Sequence, residues 1–316
     1  MKVVSAIKRV PESIRNHFEQ KYSQTEFIFC HGIEEAETYL SEADVFVTYG
    51  EDLNKERIQK AEHLKWIMVL SAGMDRMPFE EIEERGITVT NVRGIHARPM
   101  AEYAISMLLQ VSRQAKTLIA QETKHQWDRT PVLNEINNRT MVLLGTGAIA
   151  QETARLAKAF HMKTIGVSKS GNAKPHLDET YTVEELKDVL PEADFVVAVL
   201  PSTEETRYLM NKSHFQMMKE SSLFLNMGRG DLVSSTDLLE AIRNKEIAHA
   251  VLDVFEEEPL PQEHPFWEEE NVTVTPHHSG ISPHYVPRAF EVFDENLERY
   301  LKQEELVNLI DPKRGY

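Results

Sequence analysis

The hexapeptide GTGAIA, Gly145 to Ala150, decides how this chain folds. It follows the apolar run Met141 to Leu144, which is typical of a buried β-strand, and it precedes a stretch with helical spacing of apolar residues, Gln151 to His161. A strand, a glycine turn and a helix in this order leave backbone N–H groups and the positive end of the helix dipole facing one point. The sequence therefore predicts a phosphate-binding turn inside a βαβ unit.

Each small residue of this turn has its own expected task. Gly145 makes the tight turn, Gly147 lets the backbone approach a pyrophosphate, and Ala150 allows close packing of helix on strand. A string of this kind also occurs in plain strand-to-helix connections, so the interpretation depends on the strand and helix around it. Because both are present, we expect a bound dinucleotide. The turn residues expected to contact it are Gly145, Thr146, Gly147, Ala148 and Ile149.

The end of the next predicted strand, Thr164 to Val167, bears on which dinucleotide binds. An NAD-type fold usually places an acidic residue about 20 positions after the glycines, where it holds the ribose 2′-hydroxyl. Here the chain has Ser168, Lys169 and Ser170, and no acidic residue follows until Asp178. A lysine with two hydroxyl groups can bind a 2′-phosphate through charge-assisted hydrogen bonds. We therefore expect NADP(H) to be preferred, with NAD(H) as the alternative if this turn is merely exposed and polar.

Bulk composition limits the class of protein. The 316 residues suffice for two domains, because single cores rarely exceed roughly 250 to 300 residues. The formal net charge of -16 repels nucleic acid and anionic membranes, so we expect neither as a partner. The single cysteine, Cys30, argues against a disulfide framework and a cysteine-rich metal site, and it suits a reducing compartment. Without a recognisable signal peptide or membrane span, the sequence predicts a cytoplasmic protein.

Short β-rich runs alternate with helical patterns in two groups, which predicts two α/β domains with parallel sheets. The first group comprises Val3 to Ile7, Phe27 to Cys30, Val45 to Tyr49, Trp66 to Leu70 and Ile87 to Thr90. The second comprises Met141 to Leu144, Thr164 to Val167, Phe195 to Leu200, Leu223 to Asn226, Ala250 to Val254 and Val272 to Thr275. Between the groups, Pro99 to about His125 predicts a long helix that joins the domains or faces a second subunit. After Gly280, a last helix is expected to pack back onto the first domain.

Three further strings follow predicted strands of the second group. They are NMGRG at Asn226 to Gly230, LDVFEEEPL at Leu252 to Leu260, and TPHHSG at Thr275 to Gly280. Ligands of an open parallel sheet bind beyond the carboxyl ends of its strands, so a cation, a carboxylate and an imidazole can converge there. Singly, each has an ordinary explanation as a surface cation, a solvated acidic turn or a loop histidine. Their occurrence on three loops of one sheet edge favours a functional site.

These side chains suit hydride transfer to or from the carbon of a 2-hydroxy or 2-oxo acid. Reduction places negative charge on the carbonyl oxygen, and a protonated imidazole can supply the proton, which typically contributes 10²- to 10⁴-fold. We expect His277 to be this acid, with Glu258 stabilising its charged form and fixing its tautomer. Arg229 is expected to bind the substrate carboxylate and to polarise the keto oxygen.

The chain resembles the D-isomer-specific 2-hydroxyacid dehydrogenase family nearly from end to end. The strings that carry the resemblance are SAGMD at Ser71 to Asp75, PMAEYA at Pro99 to Ala104, GTGAIA, LPSTEET at Leu200 to Thr206, NMGRG, LDVFEEEPL, HPFW at His264 to Trp267, and TPHHSG. The resemblance implies the catalytic set Arg229, Glu258 and His277. It selects His277 over His278 because His277 directly follows Pro276.

The resemblance also implies binding residues. Asp253 would hold the nicotinamide carboxamide, and Pro201 and Thr206 would line the cofactor cleft. Further expected cofactor contacts are Leu200, Met227, Gly228 and Gly280, besides the glycine turn and the stretch Ser168 to Ser170. The backbone around Ala72 and Gly73 would take the substrate carboxylate, with Tyr49 and Gly50 nearby.

The fold that the resemblance implies has two doubly wound parallel-sheet domains with an interdomain cleft. A discontinuous, flavodoxin-like substrate domain would comprise 1–97 plus 281–316, and a Rossmann cofactor domain would comprise 98–280. Family members are generally dimeric, so a homodimer is expected. The stretch Ser168 to Ser170 resembles the NADPH-using glyoxylate and hydroxypyruvate reductases, which favours reduction of a small 2-oxo acid to a D-2-hydroxy acid.

Three other interpretations are open at this point. The chain could be an NAD-dependent enzyme similar to phosphoglycerate dehydrogenase, or a nucleotide-sensing scaffold or corepressor-like protein on the same fold. A metal enzyme built on His277, His278 and His284 is the third. It lacks a cysteine partner and an H-E-x-x-H pairing, so we expect no metal.

Overall fold

The computed structural model describes residues 1–71, 74 and 77–311, and the chain divides into two compact units. The first unit comprises Met1–Ile95 together with the segment from Ser282 onward, and the second comprises His96–Ile281. Each unit contains one sheet of parallel strands with helices around it, which confirms the predicted fold class of two parallel-sheet α/β domains.

The strands, in chain order, are β1 (Lys2–Ser5), β2 (Glu26–Phe29), β3 (Val45–Thr48), β4 (Trp66–Val69), β5 (Thr88–Asn91), β6 (Thr140–Leu144), β7 (Lys163–Val167), β8 (Glu179–Tyr181), β9 (Phe195–Ala198), β10 (Leu223–Asn226), β11 (His249–Leu252) and β12 (Val272–Val274). The α-helices are α1 (Glu12–Lys21), α2 (Ile33–Ala36), α3 (Lys55–Lys60), α4 (Phe79–Glu84), α5 (Ala97–Ser112), α6 (Ala115–Thr123), α7 (Ala148–Lys158), α8 (Leu186–Val189), α9 (Lys212–Phe215), α10 (Ser235–Arg243) and α11 (Tyr285–Leu301). Short 3-10 helices connect some of these elements.

The sheet of the first unit has the strand order β2-β1-β3-β4-β5. This is the flavodoxin-like order, in which helices cover both faces of the sheet. The central strands are therefore continuous apolar runs, and every residue of β3 and of β4 is buried. Helix α11 returns to this unit and places Phe290, Phe293 and Leu297, which share one helical face, in the same apolar cluster as Trp66.

The sheet of the second unit has the strand order β12-β11-β10-β9-β6-β7-β8. From β8 to β11 this is the Rossmann order 3-2-1-4-5-6, and β12 adds one further strand at the edge. Strands β6 and β9 are neighbours, and the direction of winding reverses between them. Ligands of doubly wound sheets bind at the carboxyl ends of strands beside such a reversal, and GTGAIA follows β6 at this point.

Two sequence predictions differ from the structure. The long helix expected from Pro99 to about His125 is two helices, α5 and α6, because Gln114 adopts a left-handed conformation with φ of 56° between them. Strand β8 was not predicted, since it has only three residues and no apolar run. Within residues 1–71, 74 and 77–311, none of the helices combines the length and the apolarity that a membrane crossing requires.

Candidate active site

The glycine turn after β6 has the backbone that the sequence predicts. Gly145 has a φ of +102°, and a Cβ atom there would lie 3.3 Å from the carbonyl oxygen of Val199, so both conformation and space favour glycine. Gly147 precedes α7, and apart from its neighbours in the chain no heavy atom of the described residues lies within 4 Å of the position that its Cβ would occupy. The first N–H groups of α7 have no acceptor within the helix. Open space at the start of a helix fits a phosphate.

The turn after β7 carries a buried hydroxyl and an exposed cation. The backbone N–H of Ser168 donates to the Tyr181 carbonyl over 3.1 Å, while Ser168 Oγ is buried and has no hydrogen-bond partner among the described residues. Lys169 is exposed, as is Ser170, and Lys169 Nζ lies 3.1 Å from Glu205 Oε1. Sequence reasoning missed Glu205, because it comes from the loop after β9 rather than from this turn.

The loops after β9 and β10 lie against each other. A Cβ atom on Gly228 would lie 2.6 Å from the carbonyl oxygen of Leu200, so only glycine allows this approach. The neighbouring Met227 is buried. The Thr206 hydroxyl donates to the Pro201 carbonyl over 2.6 Å and thereby closes the loop on itself. The predicted cofactor contacts on these loops thus share one place at the sheet edge.

The NMGRG turn is fixed by a residue that sequence reasoning did not single out. The buried Asn226 donates from Nδ2 to the Arg229 carbonyl over 2.9 Å and accepts the Gly228 N–H at Oδ1 over 3.1 Å. Arg229 Nη1 donates to the Gly228 carbonyl over 2.8 Å. A Cβ atom on Gly230 would lie 1.9 Å from the carbonyl carbon of Phe255, so this turn is pressed against the loop after β11. A polar residue ending an apolar strand was the available signal for Asn226.

Glu258 and His277 form the closest contact of the candidate catalytic residues. Glu258 Oε2 lies 2.6 Å from His277 Nδ1, and the other carboxylate oxygen accepts the Phe255 N–H over 3.0 Å. The carboxylate is therefore oriented by the backbone of its own loop. Since Nδ1 faces the carboxylate, Nε2 is the nitrogen left to exchange a proton with another molecule. The structure brings together two of the three side chains predicted to act in catalysis.

Asp253 is fully buried and holds the loop that carries His277. One carboxylate oxygen accepts the Thr275 hydroxyl over 2.6 Å and the His278 N–H over 3.0 Å, and the other accepts the Ser279 N–H over 2.9 Å. The Thr275 hydroxyl oxygen also lies 2.6 Å from the Tyr103 hydroxyl. Sequence reasoning gave Asp253 a different partner, the nicotinamide carboxamide, and that contact stays a prediction.

His96 lies against the other end of the histidine loop. A Cβ atom on Gly280 would lie 3.0 Å from His96 Nδ1. Burial lowers the pKa of His96, a hydrogen bond with the Gly280 backbone raises it, and the positive charge of Arg229 lowers it further, with a net decrease. Arg229 is thus close enough to the Gly280 end of this loop to act on His96. Sequence reasoning did not single out His96, which caps α5 just before the PMAEYA string.

The substrate residues predicted in the first unit are described in part. Tyr49 is 37% exposed, its ring centroid lies 6.5 Å from that of Tyr285, and burial raises the pKa of its hydroxyl. Gly50 has a φ of +92°. Ala72 and Gly73 lie outside the described residues. In the part of the chain that the structure covers, no three His, Cys, Asp or Glu side chains are grouped so that they could hold a metal ion.

Comparison with known proteins agrees with this geometry. The model of the NAD-binding domain of the D-isomer-specific 2-hydroxyacid dehydrogenases matches residues 105–279, more than half of the chain. The chain belongs to this family. The dehydrogenase is accordingly an oxidoreductase with a nicotinamide-nucleotide-binding domain, and the resemblance stated from its sequence motifs is confirmed.

Three relatives illustrate the likeness. A glyoxylate reductase of Aeropyrum pernix is 31% identical over 87% of the dehydrogenase and 86% of the relative. A D-isomer-specific 2-hydroxyacid dehydrogenase family protein from Aeromonas salmonicida is 31% identical, covers 98% of both chains and superposes with a TM-score of 0.85. An NADPH-dependent glyoxylate/hydroxypyruvate reductase from Sinorhizobium meliloti, crystallised with NADP and sulfate, is 28% identical over 100% of this chain and 99% of that chain, with a TM-score of 0.80.

Proposed function

We propose that this dehydrogenase reduces a small 2-oxo acid to a D-2-hydroxy acid, with NADPH as its preferred reductant. The observation that carries the proposal is the hydrogen-bonded pair of Glu258 and His277, at 2.6 Å, on the sheet edge where the Arg229 turn also lies. A carboxylate, an imidazole and a guanidinium are the groups that reduction of an anionic carbonyl compound requires.

His277 is assigned the proton transfer. Its Nδ1 bears a hydrogen that the Glu258 carboxylate accepts, so Nε2 is free of that partner and can donate to the carbonyl oxygen of the substrate. The carboxylate stabilises the imidazolium before the transfer and keeps the ring oriented after it. When the direction reverses, the neutral ring accepts the same proton from the hydroxy acid.

Arg229 is assigned the substrate carboxylate. The charge of the protein is -16, so an anionic substrate is repelled by the whole molecule and must be held by a local cation. A guanidinium can bind a carboxylate through two parallel hydrogen bonds, which orients the substrate as well as retaining it. We assign the first unit the role of substrate domain, with Tyr49, Gly50, Ala72 and Gly73 as its substrate-binding residues.

The second unit is proposed to hold the dinucleotide. The observations that fit the group are the left-handed Gly145, the open space at Gly147 and the buried Ser168 hydroxyl without a partner among the described residues. The first N–H groups of α7, which have no acceptor within the helix, fit it as well. When bound, the reduced nicotinamide supplies the hydride. Thr146, Ala148 and Ile149 belong to the turn, and we assign further contacts to the adjoining loops at Leu200, Pro201, Thr206, Met227, Gly228, Asp253 and Gly280.

The preference for NADPH rests on the turn after β7. Lys169 and the hydroxyl groups of Ser168 and Ser170 offer a cation and hydrogen-bond donors to a 2′-phosphate. Glu205 opposes this preference, because its carboxylate lies 3.1 Å from Lys169 Nζ and would have to give up that contact. The relative from Sinorhizobium meliloti is NADPH-dependent, which favours the same assignment.

The substrate class is proposed as glyoxylate or hydroxypyruvate. Relatives similar to this chain are named glyoxylate reductase and hydroxypyruvate reductase. The test is a screen of purified protein with glyoxylate, hydroxypyruvate, pyruvate and 2-oxoglutarate, each with NADPH and with NADH. Chiral analysis follows for the products of the last three acids, because the glycolate formed from glyoxylate is achiral. We expect oxidation of NADPH with glyoxylate, with hydroxypyruvate or with both. Binding of NADPH without turnover of any acid would refute the enzyme proposal and favour a nucleotide-sensing role.

We also propose a homodimer that forms through the second unit. Five large apolar side chains are exposed in one short stretch that includes α6, and Trp127 is 94% exposed. They are Leu118, Ile119, Trp127, Val132 and Leu133. Sedimentation of the wild type and of Trp127→Ser tests this, and a monomeric wild type would contradict it. Cytoplasmic localisation remains an expectation from the single, buried Cys30.

A further inference from the structure

A buried chain of hydrogen bonds leads from helix α5 to the histidine loop. The Tyr103 hydroxyl lies 2.6 Å from Thr275 Oγ1, which lies 2.6 Å from Asp253 Oδ1. Tyr103, Thr275 and Asp253 are all buried, and Asp253 is fully so. The same carboxylate accepts the backbone N–H groups of His278 and Ser279. This series of hydrogen bonds therefore ends at the backbone of the two residues that follow His277.

The direction of each hydrogen bond in this chain is determined by the chemistry of its members. Asp253 accepts two backbone N–H groups, so as a carboxylate it can only accept from Thr275 as well. Thr275 has a single hydroxyl proton, which it gives to Asp253, and its oxygen must then accept from Tyr103. Burial raises the pKa of Tyr103 well above its ordinary value, so its hydroxyl keeps the proton that this arrangement needs.

The loop held in this way contains an unfavourable backbone conformation. His277 has a φ of 48°, in the left-handed region that residues other than glycine seldom adopt. Such a conformation persists only when the surroundings impose it. Three hydrogen bonds hold this conformation. The His277 N–H donates to the Thr275 carbonyl over 3.0 Å, and the N–H groups of the next two residues donate to Asp253. These contacts orient the imidazole that meets Glu258.

We propose that Tyr103 is a positioning residue for His277 and acts through Thr275 and Asp253. The inference rests on the proposed function, in which His277 exchanges the proton. Among the described residues, Tyr103 makes no hydrogen bond to His277 or Glu258, and its ring meets that of His278 edge-on, with 6.5 Å between the centroids. Its hydroxyl fixes the Thr275 hydroxyl, which in turn fixes the carboxylate that holds the loop.

The first measurement uses the full chain without cofactor. Amide hydrogen exchange at His278 and Ser279 is followed by NMR in the wild type, Tyr103→Phe, Thr275→Val and Thr275→Ser. We expect exchange at these two amides to accelerate about tenfold in Thr275→Val, which loses two hydrogen bonds, and a few-fold in Tyr103→Phe, which loses one. Thr275→Ser keeps the hydroxyl and should resemble the wild type.

The second measurement separates positioning from general damage. With NADPH and the best 2-oxo acid, kcat should fall about tenfold in Thr275→Val and a few-fold in Tyr103→Phe, while KM for NADPH changes less than about twofold. Thr275→Ser should restore kcat. Tyr22→Phe is the matched control, since it removes a tyrosine hydroxyl that donates to Asp294 in the first unit at 2.6 Å, and its kcat should equal that of the wild type.

The outcomes distinguish the positioning role of Tyr103 from the proposed reductase function. Unchanged exchange at His278 and Ser279 in both Tyr103→Phe and Thr275→Val would overturn the inference, and so would faster exchange with unchanged kcat. An inactive wild type would refute the proposed function. Exchange in the cofactor-free chain would still decide whether Tyr103 and Thr275 hold the loop.

Discussion

The two sheets of this dehydrogenase are built alike and end in different chemistry. Each is parallel, with helices around it, and each reverses its winding once. In the first unit, the loops after β1, β3 and β5 carry charged residues such as Lys8, Asp52 and Arg93, to which we assign no catalytic role. In the second unit, the loops after β10, β11 and β12 carry Arg229, Glu258 and His277. The difference teaches that the fold supplies a sheet edge, and the loop residues supply the function.

Two aspartates make the same comparison at the level of single side chains. Asp294 on α11 accepts the Tyr22 hydroxyl over 2.6 Å and Lys21 Nζ over 2.7 Å, so it joins α11 to α1. Asp253 instead accepts a threonine hydroxyl and two backbone N–H groups, and so it holds a loop. A carboxylate with a cation at a helix contact stabilises the fold, whereas a carboxylate bound by loop N–H groups sets the position of a neighbouring side chain.

Among the variants that compare the two units, the largest expected effect is the loss of the Arg229 guanidinium. Arg229→Ala should lower kcat/KM for the 2-oxo acid by about 10³-fold, because a charged hydrogen-bonding group aimed at the substrate is removed. Steady-state kinetics with NADPH would show it. Arg243→Ala is the matched control. Arg243 pairs with Glu269 over 2.7 Å, and neither residue is assigned to the candidate site. Equal losses in both variants would contradict a special role for Arg229.

A glycine pair compares the backbone requirements of the two units. Gly230→Ala places a Cβ atom 1.9 Å from the Phe255 backbone, and we expect a loss of about 3 kcal/mol in the free energy of unfolding. Gly86→Ala meets no described heavy atom within 4 Å and has a φ of +63°, so about 1 kcal/mol is expected. Chemical denaturation measures the free energy of unfolding of both variants and of the wild type. A Gly230→Ala protein as stable as Gly86→Ala would show that the two loops do not need their close contact.

The amino-terminal ends of the strands in the second sheet, opposite the candidate site, offer a test by pH. Burial, together with the smaller effect of the Lys116 charge, lowers the pKa of His249, at the start of β11, from its ordinary 6.5 to about 4. Between these values the unfolded chain binds a proton that the folded chain does not, so acidification removes stability. At pH 5 this amounts to about 2 kcal/mol.

His249→Gln should therefore lose less stability than the wild type between pH 7 and pH 5, by about 2 kcal/mol in the free energy of unfolding. The glutamine can keep a hydrogen bond to Thr273, whose hydroxyl lies 2.9 Å from His249 Nε2. His63→Gln, at an exposed position of the first unit, is the control. If the free energy of unfolding changed equally with pH in the wild type and in His249→Gln, this account of the buried ring would be contradicted.

The smallest expected effect concerns the choice of cofactor. Lys169→Asp should lower the ratio of kcat/KM for NADPH to that for NADH by about tenfold or more, because a carboxylate repels the 2′-phosphate. Glu205→Gln should raise the ratio, since it frees Lys169 from a competing carboxylate at 3.1 Å. The exposed Lys174 gives the control Lys174→Asp. A ratio that is the same in all four proteins would remove Lys169 from the phosphate site.

Local sequence patterns predicted most of the fold because parallel strands buried on both faces are short apolar runs with turns after them. The strand before GTGAIA and those before NMGRG and TPHHSG lie within two residues of their predicted bounds. The break at Gln114 was missed, since apolar spacing continues through it while one backbone angle changes sign.

The candidate site was predictable only where residues follow strands. Arg229, Glu258 and His277 could be named because the carboxyl ends of parallel strands meet at one edge. Tyr103 could not, since its partner Thr275 lies 172 positions away in the sequence and no local pattern links the two residues. Glu205 was missed for the same reason, and it reaches Lys169 from a different loop.

The central claim is that the imidazole of His277 delivers the proton that accompanies reduction. Single-turnover oxidation of NADPH by hydroxypyruvate, in the wild type and in His277→Ala, tests it most directly. We predict a rate of reduction about 10²- to 10⁴-fold lower in the variant, with NADPH affinity unchanged within about twofold and D-glycerate as the wild-type product. Comparable rates in the two proteins would contradict the account.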